Sequence, residues 1–445
     1  MHRPVPGSTN GVLYVSSANF DRCFDQGTVM AVDMDRVGSD GDRLLPLGSY
    51  TDPSAQPVSI EQLNIAPESR LYIQSFAGEM VLWERSDGPP RLFVPARADG
   101  DYIHYIDVPE PARLSCVGTQ SDNCIEGALS LTSNVQGQQE GQPRASAPFG
   151  VAIDTFTEPG QAANVWVTHL NPADSPERSR TNYETYVVRL PGDAVSSDRP
   201  SVSTSDFFPL SVQDFPLGGT NSVVADERYV FVSGRLSSGV SDTSLARRFL
   251  VRVLDKQNLN QIIEPGLDLG FAASEARGLA LSERVPSRPR RLYVAVRSPD
   301  TLLIVNAEGI EKESDSPRLT VVGSVPLPDG PTQVKLVPRG PSRSELVLVS
   351  CSSAGVVAIY DPDVGQVVAQ VPVGQTRGTQ SPQPFGLAVQ QQGNAARIFV
   401  SNFGDGRVSV IDIADLGSPQ LARLVAYLGA RQDEGNSAQC QEEQQ

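Results

Sequence analysis

Three arginines stand at the same place in a recurring pattern. In RLFVPAR, YVFVSGR and RLYVAVR, the apolar triplets ending at Val94, Val232 and Val294 are followed three residues later by Arg97, Arg235 and Arg297. Guanidinium forks gathered on one rim would bind a carboxylate or a phosphate through paired N–H donors. The structural alternative is that each fork pairs with an acidic neighbour on an adjacent repeat unit, in a chain with 52 acidic against 36 basic residues. Glu79, Glu275 and Arg277 stand at the beginnings of short apolar runs and are the natural partners of these forks, or members of the same site. His169, which follows the run NVWVT, is assigned to that rim as well, whereas His104 lies inside the run YIHYIDV.

Other chemistry is sparse. Asn19, Asp21 and Asp25 in NFDRCFD offer oxygen ligands within one loop, as a Ca2+ site would, although an Asx-rich turn accounts for the same residues. The terminal glutamate of an EF-hand is missing there. Two histidines away from the N-terminus do not make a copper or haem cluster, and no G-x-S-x-G elbow is present. The expectation is no catalytic residue and no cofactor other than Ca2+. Cys116 and Cys124, either side of a short polar loop, are the one pair placed for a local disulfide, conditional on an oxidising compartment. Trp83 and Trp166 read as strand aromatics in packing.

The elements that must carry these residues repeat along the chain. Stretches such as GVLYVSSAN with GTVMAVDMD, RYVFVSGR with RRFLVRVLD, and ARIFVSNFGDGRVSVIDIAD are pairs of alternating apolar runs joined through turn residues, and seven such copies occur. Short runs precede many of them (AGEMVLWE, PFGVAID, PFGLAVQ) and others follow (SRLYIQSF, QVVAQVPVG). Four strands per unit predict an all-β chain, a seven-bladed β-propeller of four-stranded antiparallel blades around a central channel. Segments 118–147, 171–182 and 191–206 read as loops within one domain spanning 1–429, and 430–445 as a polar, disordered tail. The first copy begins at Leu13, which leaves its inner strand to residues 1–9, to the C-terminal tail or to a segment outside this sequence.

A net charge of −16 opposes binding to nucleic acid or anionic lipid, and no apolar run approaches the ~20 residues of a membrane helix. The start of the chain lacks the apolar segment of a signal peptide, and a monomer is expected.

The stretches IFVSNFGDGRVSVID, LYVAVRSPDTLLIV and VVAQVPVGQT resemble the YVTN-repeat family of bacterial seven-bladed propellers. Insertions such as NFDRCFDQGT resemble a group of bacterial envelope lipoproteins, whose lipobox cysteine this sequence does not show. The resemblance implies a periplasmic or outer-membrane-associated protein. Its leading functional expectation is a noncatalytic binding or scaffold propeller, holding a small molecule or a protein partner at the channel mouth. The alternative is a lactonase-like hydrolase using acidic and arginine side chains there.

Overall fold

Valine, isoleucine, leucine and aromatic residues dominate the recurring runs, and such residues fit the pleated, packed surface of a strand. In the computed structural model the runs pair antiparallel with their chain neighbours into seven blades around a channel. The residues described are 1–17, 26–39, 42–52, 54–98, 100–132, 135–136, 146–155, 163–171, 186–210, 217–236, 251–259, 262–263, 275–308, 319–376 and 381–431. Asn19, Asp21 and Asp25 lie outside them, as does the C-terminal tail from position 432.

The last blade shows the unit: Pro384–Gln392 innermost, then Ala395–Asn402, Val408–Ile413 and Arg423–Leu428. The inner strands of the second to sixth blades are Val81–Trp83, Ser146–Asp154, Leu217–Ala225, Glu275–Leu281 and Pro331–Val337. Apolar layers form between blades as well as within them. One joins Tyr229 and Phe231 to Leu292 and Val294, all buried, and each such side chain contributes about 1.5–3 kcal/mol by leaving water.

Of the three sources considered for the missing inner strand, the N-terminus supplies it. His2–Arg3 pairs with Val12–Ser17, with His2 opposite Leu13. Two further contacts close the ring. The His2 ring stacks on Phe399 of the last blade at 5.5 Å, and Val58–Ile60 adds in parallel to the outer strand of that blade. A loop of the first blade therefore becomes the outermost strand of the seventh. The polar segments hold a short helix, Gly192–Ser196, and a parallel pair between Val135–Gln136 and Val202–Ser203. Cys116 and Cys124 are joined in a buried disulfide.

One irregularity recurs in the inner strands of the third to seventh blades. In each, two inner-strand residues face one residue of the second strand: Phe149–Gly150 against Thr168, Asn221–Ser222 against Ser233, Arg277–Gly278 against Ala295, Thr332–Gln333 against Ser350, and Phe385–Gly386 against Ser401. A bulge of this kind leaves an N–H outside the ladder, and a buried N–H needs an acceptor. In four of the five the opposing hydroxyl is that acceptor, and in the other the opposing residue is Ala295. Thr168 accepts from Gly150 N at 2.8 Å, Ser233 from Ser222 N at 2.9 Å, Ser350 from Gln333 N at 3.1 Å and Ser401 from Gly386 N at 2.8 Å.

Three of these hydroxyls also reach the next blade. Thr168 donates to the Asn221 carbonyl at 2.8 Å, Ser233 to that of Arg277 at 2.5 Å and Ser350 to that of Phe385 at 2.8 Å. The approach leaves little room. A Cβ on Gly150 would run into the Asn221 carbonyl, which is why glycine stands there. Replacing Ser350 by alanine strands the Gln333 N–H and the Phe385 carbonyl. The expected cost is about 1–3 kcal/mol in urea unfolding, and an unchanged midpoint would contradict the role given to this hydroxyl.

Candidate functional site

The face of the ring where inner strands begin and second strands end carries the bulges. Phe149, Asn221, Arg277, Thr332 and Phe385 are equivalent residues of five blades by their register. Two of them meet over the axis: the rings of Phe149 and Phe385 pack edge to face at 5.8 Å, although they belong to the third and seventh blades. This pair caps the channel with an apolar floor.

Arg97 lies on that floor. Its guanidinium carbon is 5.4 Å from the centre of the Phe149 ring and 5.8 Å from that of Phe76, within range of cation–π attraction. It has no carboxylate partner among the described residues, and its buried Nη1 has no hydrogen-bond acceptor. Burial, and then the nearby Arg277, lower its pKa from the ordinary guanidinium value. An arginine held so has an incentive to meet an anion.

Glu275 anchors the other two cations. It pairs with Arg277 at 2.9 Å and approaches Arg297 at 4.0 Å, while Arg277 also donates to Asn221 Oδ1 at 3.3 Å. Arg297 is held by the Pro331 carbonyl at 3.0 Å and Ser352 Oγ at 3.0 Å. Of the three equivalent arginines, Arg297 reaches a carboxylate, but on its own blade rather than an adjacent one, and Arg97 reaches none among the described residues. Arg235 places its backbone opposite Glu275, but its side chain lies outside the described residues.

Backbone strain concentrates on the same face. Phe76, Ala147, Ser298 and Gln383 have φ of 58°, 57°, 57° and 51°, in the left-handed region that side chains other than glycine seldom occupy. Ala147 and Gln383 directly precede the Pro–Phe pairs that form the floor. Strain of this kind persists where surrounding contacts enforce it, and it clusters at working surfaces.

Other sequence candidates are placed elsewhere. His169 is fully buried, and its Nε2 accepts from Tyr186 N at 2.9 Å, which makes it a core acceptor rather than a group presented at the rim. His104 does the same for Gln74 N at 3.2 Å, and burial pushes its pKa down to about 4. Glu79 sits one level below the phenyl floor, its N–H donating to the Phe149 carbonyl at 2.8 Å. Beneath that floor a cavity of about 350 Å³ runs down the channel, lined by Glu79, Trp83, Ile153, Val224, Gln333 and Lys335 among others. Gln333 spans it from the sixth blade to the second, donating to Glu79 at 3.3 Å. Among the described residues no group of three or more His, Cys, Asp or Glu is placed to hold a metal ion, and no helix is long and apolar enough to cross a membrane.

The phenyl floor and the hydrogen bond from Arg277 to Asn221 went unrecognised in the sequence. The duplicated PFG of PFGVAID and PFGLAVQ was the available signal, but only ring closure brings the two rings together.

No family model matches the chain, and no curated protein matches its sequence. Solved structures similar to it include a putative 6-phosphogluconolactonase from Bacteroides fragilis, at 10% identity and a TM-score of 0.48, covering 97% of this chain and 100% of that one. A BBS1N–ARL6DN complex matches at 12% identity and a TM-score of 0.46, covering 93% and 96%. A PQQ-bound aldose sugar dehydrogenase from Streptomyces coelicolor matches at 14% and 0.39, covering 74% and 91%. The assignment of the fold rests on the strand pairing described above.

Burial raises the Glu79 pKa above its ordinary 4.5, against the smaller opposing effects of Lys335 and Gln333. Between the ordinary and the raised value, the folded state keeps a proton that the unfolded chain has released. Glu79 therefore costs stability progressively as pH rises through that window. Glu79→Gln should gain stability relative to the wild type over the same pH range and then hold a constant advantage. Urea unfolding in a pH series checks this, and a pH-independent difference would contradict it.

Proposed function

We propose that this protein is a noncatalytic binding propeller that takes a small organic anion, bearing a carboxylate or phosphate, on the phenyl floor at the channel mouth. The observation that carries this reading is Arg97, a cation without a carboxylate partner among the described residues and with a buried, unbonded Nη1. Arg277, tied to Glu275 and Asn221, would supply the second fork, and the floor would accept the apolar part of the ligand. Calorimetric titration with gluconate and with inorganic phosphate tests it. Arg97→Gln should weaken whichever anion binds by about tenfold or more, the value of a charge-assisted hydrogen bond. Unchanged affinity in a folded Arg97→Gln protein would sink the proposal.

A second reading is hydrolysis of a small lactone held by the same arginines. The feature in its favour is Glu275, a carboxylate on the same face, 2.9 Å from Arg277 and 4.0 Å from Arg297, where a general base beside a bound lactone would stand. Turnover of gluconolactone that disappears in Glu275→Gln would establish hydrolysis over binding alone.

The YVTN-repeat kinship and an envelope location belong to the same proposal. Support comes from the Cys116–Cys124 disulfide, since such bonds persist in oxidising compartments. Alkylation before reduction should leave both cysteines unmodified in protein isolated from its native cells. Full alkylation of the pair at that stage would place the chain in a reducing compartment.

A further inference from the structure

The cavity below the phenyl floor is separate from the mouth, and its chemistry differs. Its walls are mostly aliphatic, with Val81, Leu82, Val151, Ile153, Val224 and Leu279 supplied by four different blades. At about 350 Å³ it falls in the range of sites for small ligands. Among the described residues three charged side chains line it: Glu79, Glu84 and Lys335.

One of the three is already neutralised. Glu84, towards the far end of the channel, takes a two-pronged ion pair from Arg3, at 2.7 and 3.0 Å. Glu79 and Lys335 are not. Lys335 acts electrostatically on Glu79, but no ion pair joins them, and among the described residues the one hydrogen bond to the Glu79 carboxylate is that from Gln333 Nε2 at 3.3 Å. Lys335 makes no side-chain hydrogen bond among the described residues. Gln333 is held from both sides, since its Oε1 accepts from Leu387 N, so the carboxylate it orients cannot swing freely toward the lysine. An anion and a cation are therefore kept apart on the walls of one apolar cavity.

We propose that this cavity binds a small zwitterion with an aliphatic body, of the α-amino-acid type, its ammonium on Glu79 and its carboxylate on Lys335. A ligand with both charges leaves the site neutral. A lone cation would face Lys335 unscreened, a lone anion would face Glu79, and a fully apolar molecule would leave two charges desolvated without partners. The selectivity follows from this difference. The site does not depend on Arg97 or on the mouth, so it stands or falls separately from the proposal made for that face.

The probes are leucine, 3-methylbutylamine and 4-methylpentanoate, which share one aliphatic body and differ in charge. Methionine and valine extend the zwitterion series in size. Binding is read by calorimetry and by emission of Trp83, which lines the cavity, while the other tryptophan, Trp166, is buried against Asp154. At least one amino acid should saturate the protein, and more tightly than either singly charged analogue. Glu79→Gln and Lys335→Gln should each weaken it by about tenfold or more, while Arg97→Gln leaves it unchanged. Lys335 is solvent-accessible, so its variant preserves the test if Glu79→Gln fails to fold. The proposal is overturned if no amino acid binds saturably at millimolar concentration, if the amine or the acid binds as tightly, or if neither variant changes the affinity.

Discussion

The hydroxyl opposite four of the five inner-strand bulges is the interaction on which the working face depends. An inner strand that simply continued its ladder would send alternate side chains into the two neighbouring blades and present little to the axis. The bulge breaks that alternation and re-aims one residue per blade toward the mouth. Its cost is an N–H left out of the ladder in the tightest part of the molecule. Thr168, Ser233, Ser350 and Ser401 accept that N–H, and the first three then donate to the carbonyl of Asn221, Arg277 or Phe385 in the next blade. The residues whose backbones are fixed in this way are the ones whose side chains form the mouth.

Packing and electrostatics at the mouth follow from that geometry. Phe149 and Phe385 can meet over the axis because each is held by its own bulge on nearly opposite sides of a closed ring. Their contact divides the channel into an upper face dominated by guanidinium groups and a lower cavity with separated charges. On the upper face, Glu275 serves Arg277 and Arg297 but not Arg97. Among the arginine side chains described on this face, Arg97 is the one without a carboxylate partner, and that singles out the spot.

Much of the architecture was legible in the sequence because its causes are local. Hairpins depend on alternation and turn residues within about twenty positions, and the seven copies could be found from those alone. The Cys116–Cys124 pair was legible for the same reason, with a separation of 8 residues. Features that join distant parts were not. His2–Arg3 is too short to announce itself as a strand, and Val58–Ile60 gives no sign that it will pair with the last blade. Thr168, Ser233 and Ser350 were visible, but their second partner lies one blade away. Arg97 and Arg297 looked identical by alignment; what separates them is their surroundings, since Arg297 meets the Pro331 carbonyl and Ser352 of the next blade and Glu275 of its own, and Arg97 meets two phenyl rings.

We propose Arg97, on the Phe149–Phe385 floor, as the anion site of the closed ring. Crystals soaked in bromide, with the ion located by its anomalous scattering, would show whether it is. A bromide peak is expected within hydrogen-bond distance of the Arg97 guanidinium, above the phenyl pair. Bromide bound at other arginines with none at Arg97, or a carboxylate occupying that position, would contradict it.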